Sequence, residues 1–150
     1  MKIGIIGYGF VGKALKNGLK RDVETFLVDP KVNTRIDNLI DFSPDIIFIC
    51  VPTPMNDDGT QNIKILSNVI SDLKSLDLNS TLVIKSTVLP DHLISINEQL
   101  PKVIYNPEFL RESNADKDFI NSDLILFGGS KLETKKLEDF YKNFTKCLSK

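Results

Sequence analysis

The sequence predicts an α/β fold in which a doubly wound parallel sheet carries helices on both faces. Apolar runs of strand length alternate with segments of helical periodicity along the 150 residues, an arrangement typical of strands joined by crossover helices. The first run, Lys2–Ile6, is apolar after its lysine, as expected for a central strand covered on both sides. A chain of this length corresponds to one domain, so we expect a single three-layer α/β/α domain over residues 1–150.

The first half of the chain carries the clearest helical pattern. Apolar and small residues at positions 11, 14, 15, 18 and 19 share one helical face and predict a helix over Phe10–Lys20. Only 15 residues separate Asp29 from Asp45. In that interval Thr34–Ile36 could form a minimal third strand, and Asp37 could cap a two-turn helix that ends at Phe42. The main strands predicted in this half are Lys2–Ile6, Val23–Val28 and Ile46–Val51.

The second half continues the alternation of strands and helices. The triplet Asp57-Asp58-Gly59 is typical of a turn, and Thr60 could cap a helix over Gln61–Leu76. The remaining predicted elements are strands at Thr81–Ser86, Val103–Tyr105 and Leu124–Phe127, and helices at Asp91–Gln99 and Glu133–Leu148.

Charge and composition exclude several classes of protein. The 19 basic and 20 acidic residues give a formal net charge of -1, and no basic stripe indicates a nucleic-acid partner. The apolar runs are too short to span a bilayer, and the N-terminus shows no signal-peptide pattern. Two cysteines without a CxxC pair favour a reducing, cytoplasmic location and argue against a disulfide scaffold or a zinc site, so no metal ligands are assigned.

The segment Gly7-Tyr8-Gly9-Phe10-Val11-Gly12 follows the first predicted strand directly and opens the first predicted helix. In such a loop the first glycine makes a tight turn, the second lets a pyrophosphate approach the backbone, and the third allows the helix to pack closely on the sheet. The helix N-terminus supplies N–H groups and a positive dipole end for the phosphates. The motif predicts a Rossmann-type site with NAD as cofactor. FAD and S-adenosylmethionine share this geometry and are alternatives on the loop alone.

A carboxylate stands where the ribose of NAD is expected. Asp29 ends the second predicted strand, 22 residues after Gly7, and an acid at that place accepts hydrogen bonds from the ribose hydroxyls. A 2′-phosphate would meet like-charge repulsion there, which disfavours NADP. Lys31 and Arg35 lie close by and could offset that repulsion, so NADP stays an alternative.

Three further segments each follow a predicted strand, and therefore fall at the carboxyl edge of the sheet, where ligands bind. They are Cys50-Val51-Pro52-Thr53-Pro54 with Asp58-Gly59 shortly after, Lys85-Ser86-Thr87-Val88, and Asn106-Pro107-Glu108-Phe109-Leu110-Arg111-Glu112. Together with the glycine loop, and in this order, they resemble the nucleotide-sugar dehydrogenases, the UDP-glucose and GDP-mannose 6-dehydrogenase family. The resemblance covers nearly the whole chain. In the family a longer segment with an extra helix usually precedes the Val-Pro-Thr-Pro strand, whereas the connection here is only 15 residues long.

The resemblance implies roles for individual residues. The loop from Val51 to Met55 would flank the adenosine and ribose side of NAD, and Ser86 with Thr87 would reach the nicotinamide half. Glu108 would act as a base or hold a water molecule, and Glu112 would lie near the cofactor. If the segment is helical, Glu108 and Glu112, four residues apart, share a face. With the glycine loop and Asp29 assigned from the motif, the full set is catalytic Glu108 and Thr87, with cofactor contacts from Gly7, Tyr8, Gly9, Phe10, Val11, Gly12, Asp29, Val51, Pro52, Thr53, Ser86, Thr87 and Glu112.

The family reaction oxidises the C6 alcohol of a nucleotide sugar, here most simply UDP-glucose, to a carboxylate with two NAD. It needs a nucleophilic cysteine and a lysine–asparagine pair from a later part of the family chain, and this sequence has no match for them. Cys50 is expected to be a small core residue. We therefore expect the central and substrate-binding domains to be absent and a partner domain or chain to supply the missing groups. The alternatives are a non-catalytic NAD-sensing module and a dehydrogenase for a hydroxy acid or a sugar phosphate.

Overall fold

The computed structural model describes residues 1–147 and contains a five-stranded parallel sheet with the order β2-β1-β3-β4-β5. The strands are β1 (Lys2–Ile6), β2 (Glu24–Val28), β3 (Ile46–Ile49), β4 (Thr81–Ile84) and β5 (Ile104–Tyr105). The α-helices are α1 (Phe10–Gly18), α2 (Leu39–Phe42), α3 (Lys64–Leu76), α4 (Pro90–Gln99), α5 (Ala115–Ile120) and α6 (Lys131–Phe144). The predicted doubly wound α/β fold is confirmed. Within these residues no helix is long and apolar enough to cross a membrane.

The order in which the chain adds strands to the sheet reverses between β1 and β3. From β1 the chain moves outward to β2, and it then returns to the other side of β1, where Ile3 pairs with Ile46 of β3. A parallel sheet opens a crevice beyond its carboxyl ends at such a reversal, and ligands bind there. The glycine loop leaves β1 at this point, so the fold places it in the crevice.

Two apolar cores cover the two faces of the sheet. Side chains alternate between faces along each strand, so Ile3 and Ile5 of β1 enter one core, while Ile6 enters the other. The first core is completed by residues of α1, α5 and α6, and the second by residues of α2, α3 and α4. Helices therefore lie on both sides, in the expected three layers.

The minimal third strand predicted at Thr34–Ile36 is wrong. Two 3₁₀ turns, Pro30–Val32 and Ile36–Asn38, occupy this connection. The hydroxyl of Thr34 donates to the carbonyl of Leu27 at 2.7 Å and accepts from the N–H of Asp29 at 3.1 Å. These local bonds hold Thr34 against the end of β2, so the segment does not run along the edge of the sheet as a strand. The predicted cap at Asp37 is also wrong, because Asp37 lies inside the second 3₁₀ turn and α2 begins at Leu39.

The strand predicted at Leu124–Phe127 is not formed either. Backbone pairing with the sheet here is one isolated antiparallel bridge between Tyr105 and Gly128. Ile125 and Phe127 pack against the first core, but the run does not form a sixth strand. Before this run the structure has α5, a short helix that the sequence did not predict. Gly18 of α1 makes room for α5, since a Cβ at Gly18 would lie 2.2 Å from the ring of Phe119.

Two predicted helix starts are corrected. Thr60 does not cap α3, because its N–H and hydroxyl both bond to the carboxylate of Asp58 in the preceding turn and the helix begins only at Lys64. The last helix begins at Lys131, where the Ser130 hydroxyl accepts from the N–H of Glu133. It ends at Phe144, and the predicted end at Leu148 lies outside the described residues.

Candidate functional site

A cleft of about 850 Å³ runs along the carboxyl edge of the sheet, within the range of pockets that hold small ligands and cofactors. Residues that follow each of the five strands line it. Of the residues assigned from the sequence, those in its wall are Gly7, Gly9, Phe10, Val11, Asp29, Val51, Pro52, Thr53, Ser86, Thr87 and Glu108. The structure thus brings most of the assigned residues into one continuous cavity.

The three glycines of the loop have different reasons to be glycine. Gly7 has φ +93°, and a Cβ there would lie 2.6 Å from the carbonyl oxygen of Cys50. At Gly12 a Cβ would lie 2.1 Å from the carbonyl oxygen of Gly7, although Gly12 itself does not line the cleft. At Gly9 a Cβ would meet no protein atom within 4 Å. The fold therefore requires Gly7 and Gly12, whereas the open space over Gly9 fits the approach of a ligand.

The first turn of α1 lies in the wall of the cleft, next to Gly9. The helix begins at Phe10, and its N-cap, Gly9, offers no side chain to satisfy the N–H groups. Such groups lack intrahelical acceptors and, together with the helix dipole, favour an anion. Tyr8, predicted to contact the cofactor, is not in the wall of the cleft. Its ring lies 5.7 Å and 5.5 Å from the ammonium groups of Lys13 and Lys16.

Asp29 fixes the loop as well as facing the cleft. Its Oδ2 accepts from the N–H of Tyr8 at 2.7 Å, and its Oδ1 accepts from the N–H of Lys31 at 2.8 Å. Partial burial acts to raise the pKa of Asp29, but these two hydrogen bonds and the charge of Lys31 outweigh it and leave the pKa below its usual value. The carboxylate is therefore ionised at neutral pH and positioned at the β2 end of the cleft.

The same end of the cleft contains an ion pair. The guanidinium of Arg35 lies 3.5 Å from the carboxylate of Asp37, and both residues are in the wall. Lys31 is there too. With Asp29 these groups make two positive and two negative charges, so the β2 end has no net positive charge to attract a 2′-phosphate.

The segments after β3 and β4 are tied to each other. Thr53 donates from its hydroxyl to the carbonyl of Thr87 at 2.7 Å, and the buried hydroxyl of Ser86 donates to the carbonyl of Val51 at 2.7 Å. The hydroxyl of Ser86 is thus used within the protein. Thr87 is exposed in the cleft wall.

At the β5 end, Glu108 is half-buried in the wall, and its Oε2 accepts from the N–H of Leu110 at 2.9 Å. The structure does not bring Glu112 to the same place. The chain between them is not helical, and Glu112 is exposed in the 3₁₀ turn Glu112–Asn114, outside the cleft wall. The shared helical face expected for the two glutamates is therefore wrong.

A buried polar cluster lies beneath the β5 end of the cleft, and the sequence analysis assigned it no role. Lys85 is 2% exposed. Its ammonium lies 3.2 Å from Oδ1 of Asn106 and 3.4 Å from the hydroxyl of Tyr141, which itself donates to the same Oδ1 at 2.6 Å. Burial lowers the pKa of Lys85, an effect that the nearby Cys50 and Glu108 partly oppose. The cluster anchors Asn106, two residues before Glu108, beneath the cleft.

Cys50 packs in the first core with 8% of its surface exposed. Burial raises the pKa of its thiol to about 12, with opposing effects from Lys85 and Glu108. The thiolate is the nucleophilic form of cysteine, so Cys50 does not offer a nucleophile at neutral pH. In the described part of the chain, no group of three or more His, Cys, Asp or Glu side chains could hold a metal ion.

The crevice, the glycine loop and the acid after β2 together define a dinucleotide-binding domain of the Rossmann type. The family model described as UDP-glucose/GDP-mannose dehydrogenase family, NAD binding domain, matches residues 15–145. The chain belongs to this family and corresponds to its NAD-binding domain, with NAD as the cofactor.

Individual proteins agree with that assignment. The chain is 29% identical to the putative UDP-glucose 6-dehydrogenase YtcA of Bacillus subtilis over 85% of its own length and 39% of the relative's. It is 31% identical to the UDP-glucose 6-dehydrogenase AglM of Haloferax volcanii over 74% of its length and 29% of the relative's. A GDP-mannose dehydrogenase structure from Pseudomonas aeruginosa shares the fold with TM-score 0.78 and 24% identity, covering 95% of this chain and 44% of that one. The chain therefore spans less than half the length of each of these proteins.

Proposed function

We propose that this domain holds NAD extended along the cleft, with adenosine at the β2 end and nicotinamide at the end formed by β4 and β5. The observation that carries this proposal is the empty space at Gly9, where a Cβ would meet nothing within 4 Å. A turn alone does not require glycine at this position, since φ is -77°. Close approach of a pyrophosphate to the backbone does require it.

The residues of the wall then take distinct roles. The ionised carboxylate of Asp29 accepts from the ribose hydroxyls of the adenosine half, and the N–H groups at the start of α1 bind the pyrophosphate. Val51, Pro52 and Thr53 flank the adenosine and ribose side of the cofactor. Neighbouring strands lie about 4.8 Å apart, so Thr87, after β4, is about 10 Å from the glycine loop after β1. That distance supports a place for Thr87 beside the nicotinamide half.

We further propose that the domain supplies the cofactor half of a nucleotide-sugar dehydrogenase site, with UDP-glucose as the substrate. NAD, when bound, accepts a hydride from the carbon that carries the alcohol. Glu108 takes up the accompanying proton or holds a water molecule at the β5 end, because its carboxylate lines the cleft there. The nucleophilic cysteine and the lysine–asparagine pair come from residues outside this 150-residue sequence, in a partner domain or chain. The names of the relatives from Bacillus subtilis and Haloferax volcanii support the choice of substrate.

Calorimetric titration of this chain with NAD and with NADP tests the first proposal. We expect NAD to bind and NADP to bind more weakly, because Asp29 repels a 2′-phosphate. Equal affinity for the two would contradict the role of Asp29. For the second proposal, we expect no NADH from UDP-glucose and NAD with this chain alone. Robust NADH production would show that the missing groups are not needed.

A further inference from the structure

The segment between β4 and α4 has an unusual anchor. It contains Thr87, Val88 and Leu89, and it lies beyond the end of β4 at Ile84. The carbonyl of Thr87 accepts from the side-chain amide of Gln61 at 2.9 Å, and the amide oxygen of Gln61 accepts from the N–H of Leu89 at 3.0 Å. One side chain thus bonds to the main chain on both sides of Val88, as a neighbouring strand would.

Gln61 is itself held in a well-defined place. It pairs with Met55 in an isolated antiparallel bridge. Backbone bonds on both sides, from Asn56 to Thr60 at 2.8 Å and from Asn62 to Pro54 at 2.8 Å, close the loop between β3 and α3. The backbone of Gln61 is therefore held by hydrogen bonds, and its side-chain amide is in position before a ligand binds.

The carbonyl of Thr87 receives a second bond, from the hydroxyl of Thr53 at 2.7 Å. Both donors come from the loop after β3, so this loop determines where the main chain of Thr87 lies. The side chain of Thr87 is exposed in the cleft wall. A shift of about an ångström in a group that positions a reacting ligand is enough to impair its function.

We propose that Gln61 is a positioning residue that holds Thr87 against the nicotinamide half of the cofactor. This inference rests on the proposed orientation of NAD in the cleft. Gln61 acts through Thr87 at the β4 end, whereas Asp29 and the glycine loop, after β2 and β1, hold the adenosine half. Loss of the Gln61 amide therefore affects the nicotinamide half and leaves binding of the ADP-ribose half intact.

The test compares ADP-ribose, which lacks nicotinamide, with NADH. Gln61→Leu removes both hydrogen bonds, and Gln61→Glu keeps the acceptor for Leu89 but places an oxygen against the carbonyl of Thr87. Gln99→Leu is the matched control, since among the described residues the amide of Gln99 bonds within α4, to the carbonyl of Ser95. Affinities come from calorimetry, and the fluorescence of bound NADH reports on the nicotinamide environment.

We expect both Gln61 variants to bind ADP-ribose as the wild type does and NADH about two- to tenfold more weakly, an effect the size of one neutral hydrogen bond. The emission of bound NADH should shift toward that of free NADH, and Gln99→Leu should change neither. Equal losses for ADP-ribose and NADH, or unchanged NADH affinity and emission, would overturn the positioning role. A wild type that binds neither ligand would instead refute the proposed NAD site.

Discussion

Gly9 offers a way to test the cofactor site without disturbing the fold. Its φ of -77° and ψ of -162° suit any residue, and a Cβ there would meet no protein atom within 4 Å. Replacing glycine with alanine reduces the entropy of the unfolded chain, which stabilises by about 0.4–1 kcal/mol. The weaker N-cap preference of alanine offsets this by a similar amount. We therefore expect Gly9→Ala to change the free energy of unfolding by less than about 1 kcal/mol.

The same methyl group should strongly weaken NAD binding. It would occupy the space through which the pyrophosphate approaches the N–H groups of α1. A hydrogen bond to a charged group contributes about 1.5–3 kcal/mol. The loss of one such bond lowers affinity about 10- to 150-fold, at 1.4 kcal/mol for each factor of ten. Calorimetric titration with NAD, together with thermal unfolding in the absence of ligand, separates the two effects.

Two comparisons sharpen the experiment. Gly128→Ala is the matched control, because a Cβ there would make ordinary contacts with Tyr105, the nearest at 3.5 Å, outside the cleft. It should leave NAD affinity unchanged. Gly12→Ala, by contrast, should destabilise the protein even without ligand, since its Cβ would overlap the carbonyl of Gly7. If Gly9→Ala bound NAD as tightly as the wild type, Gly9 would not face the pyrophosphate and the orientation proposed for NAD would be wrong.

Three further changes test other parts of the structure. Asp29→Asn should weaken the binding of NAD by about 1.5–3 kcal/mol in calorimetric titrations. It should also reduce the ratio of NAD affinity to NADP affinity. Burial lowers the pKa of Lys85 in the folded protein below its ordinary value of 10.5. As pH rises between these two values, the free energy of unfolding in urea should increase for the wild type relative to Lys85→Met. In that interval the unfolded chain binds more protons than the folded one. Gly18→Ala should destabilise by about 1–3 kcal/mol through overlap with the ring of Phe119, and Phe119→Ala in the same chain should remove that overlap.

Each of these has an outcome that would contradict it. An unchanged ratio of NAD to NADP affinity in Asp29→Asn would mean that the carboxylate serves only to hold the N–H groups of Tyr8 and Lys31. If the difference in the free energy of unfolding between wild type and Lys85→Met did not change with pH, the pKa of Lys85 would be the same in the folded and unfolded states. Strictly additive effects in a double-mutant cycle for Gly18 and Phe119 would show that the two residues are not in contact.

The places of the glycine loop and of the acid after β2 in the fold could be predicted because their signal is local. Gly7, Gly9 and Gly12 lie within six consecutive residues at the end of one strand, and Asp29 directly follows the next strand. The strand at Leu124–Phe127 failed for the opposite reason. Its composition suits a strand, but a strand exists only where a neighbour offers a free edge, and here the edge of β5 meets the chain at Gly128 alone.

The sequence by itself determined the fold class and the carboxyl edge at which the motifs meet, because strand periodicity and strand-end motifs are set over a few adjacent residues. Only the tertiary structure decided that Lys85 is buried in a cluster with Asn106 and Tyr141 and that Gln61 anchors Thr87. These contacts join residues 21 to 56 positions apart. No local pattern marks a single lysine or glutamine for such a contact, because its partner is chosen by how the sheet and its loops come together in space.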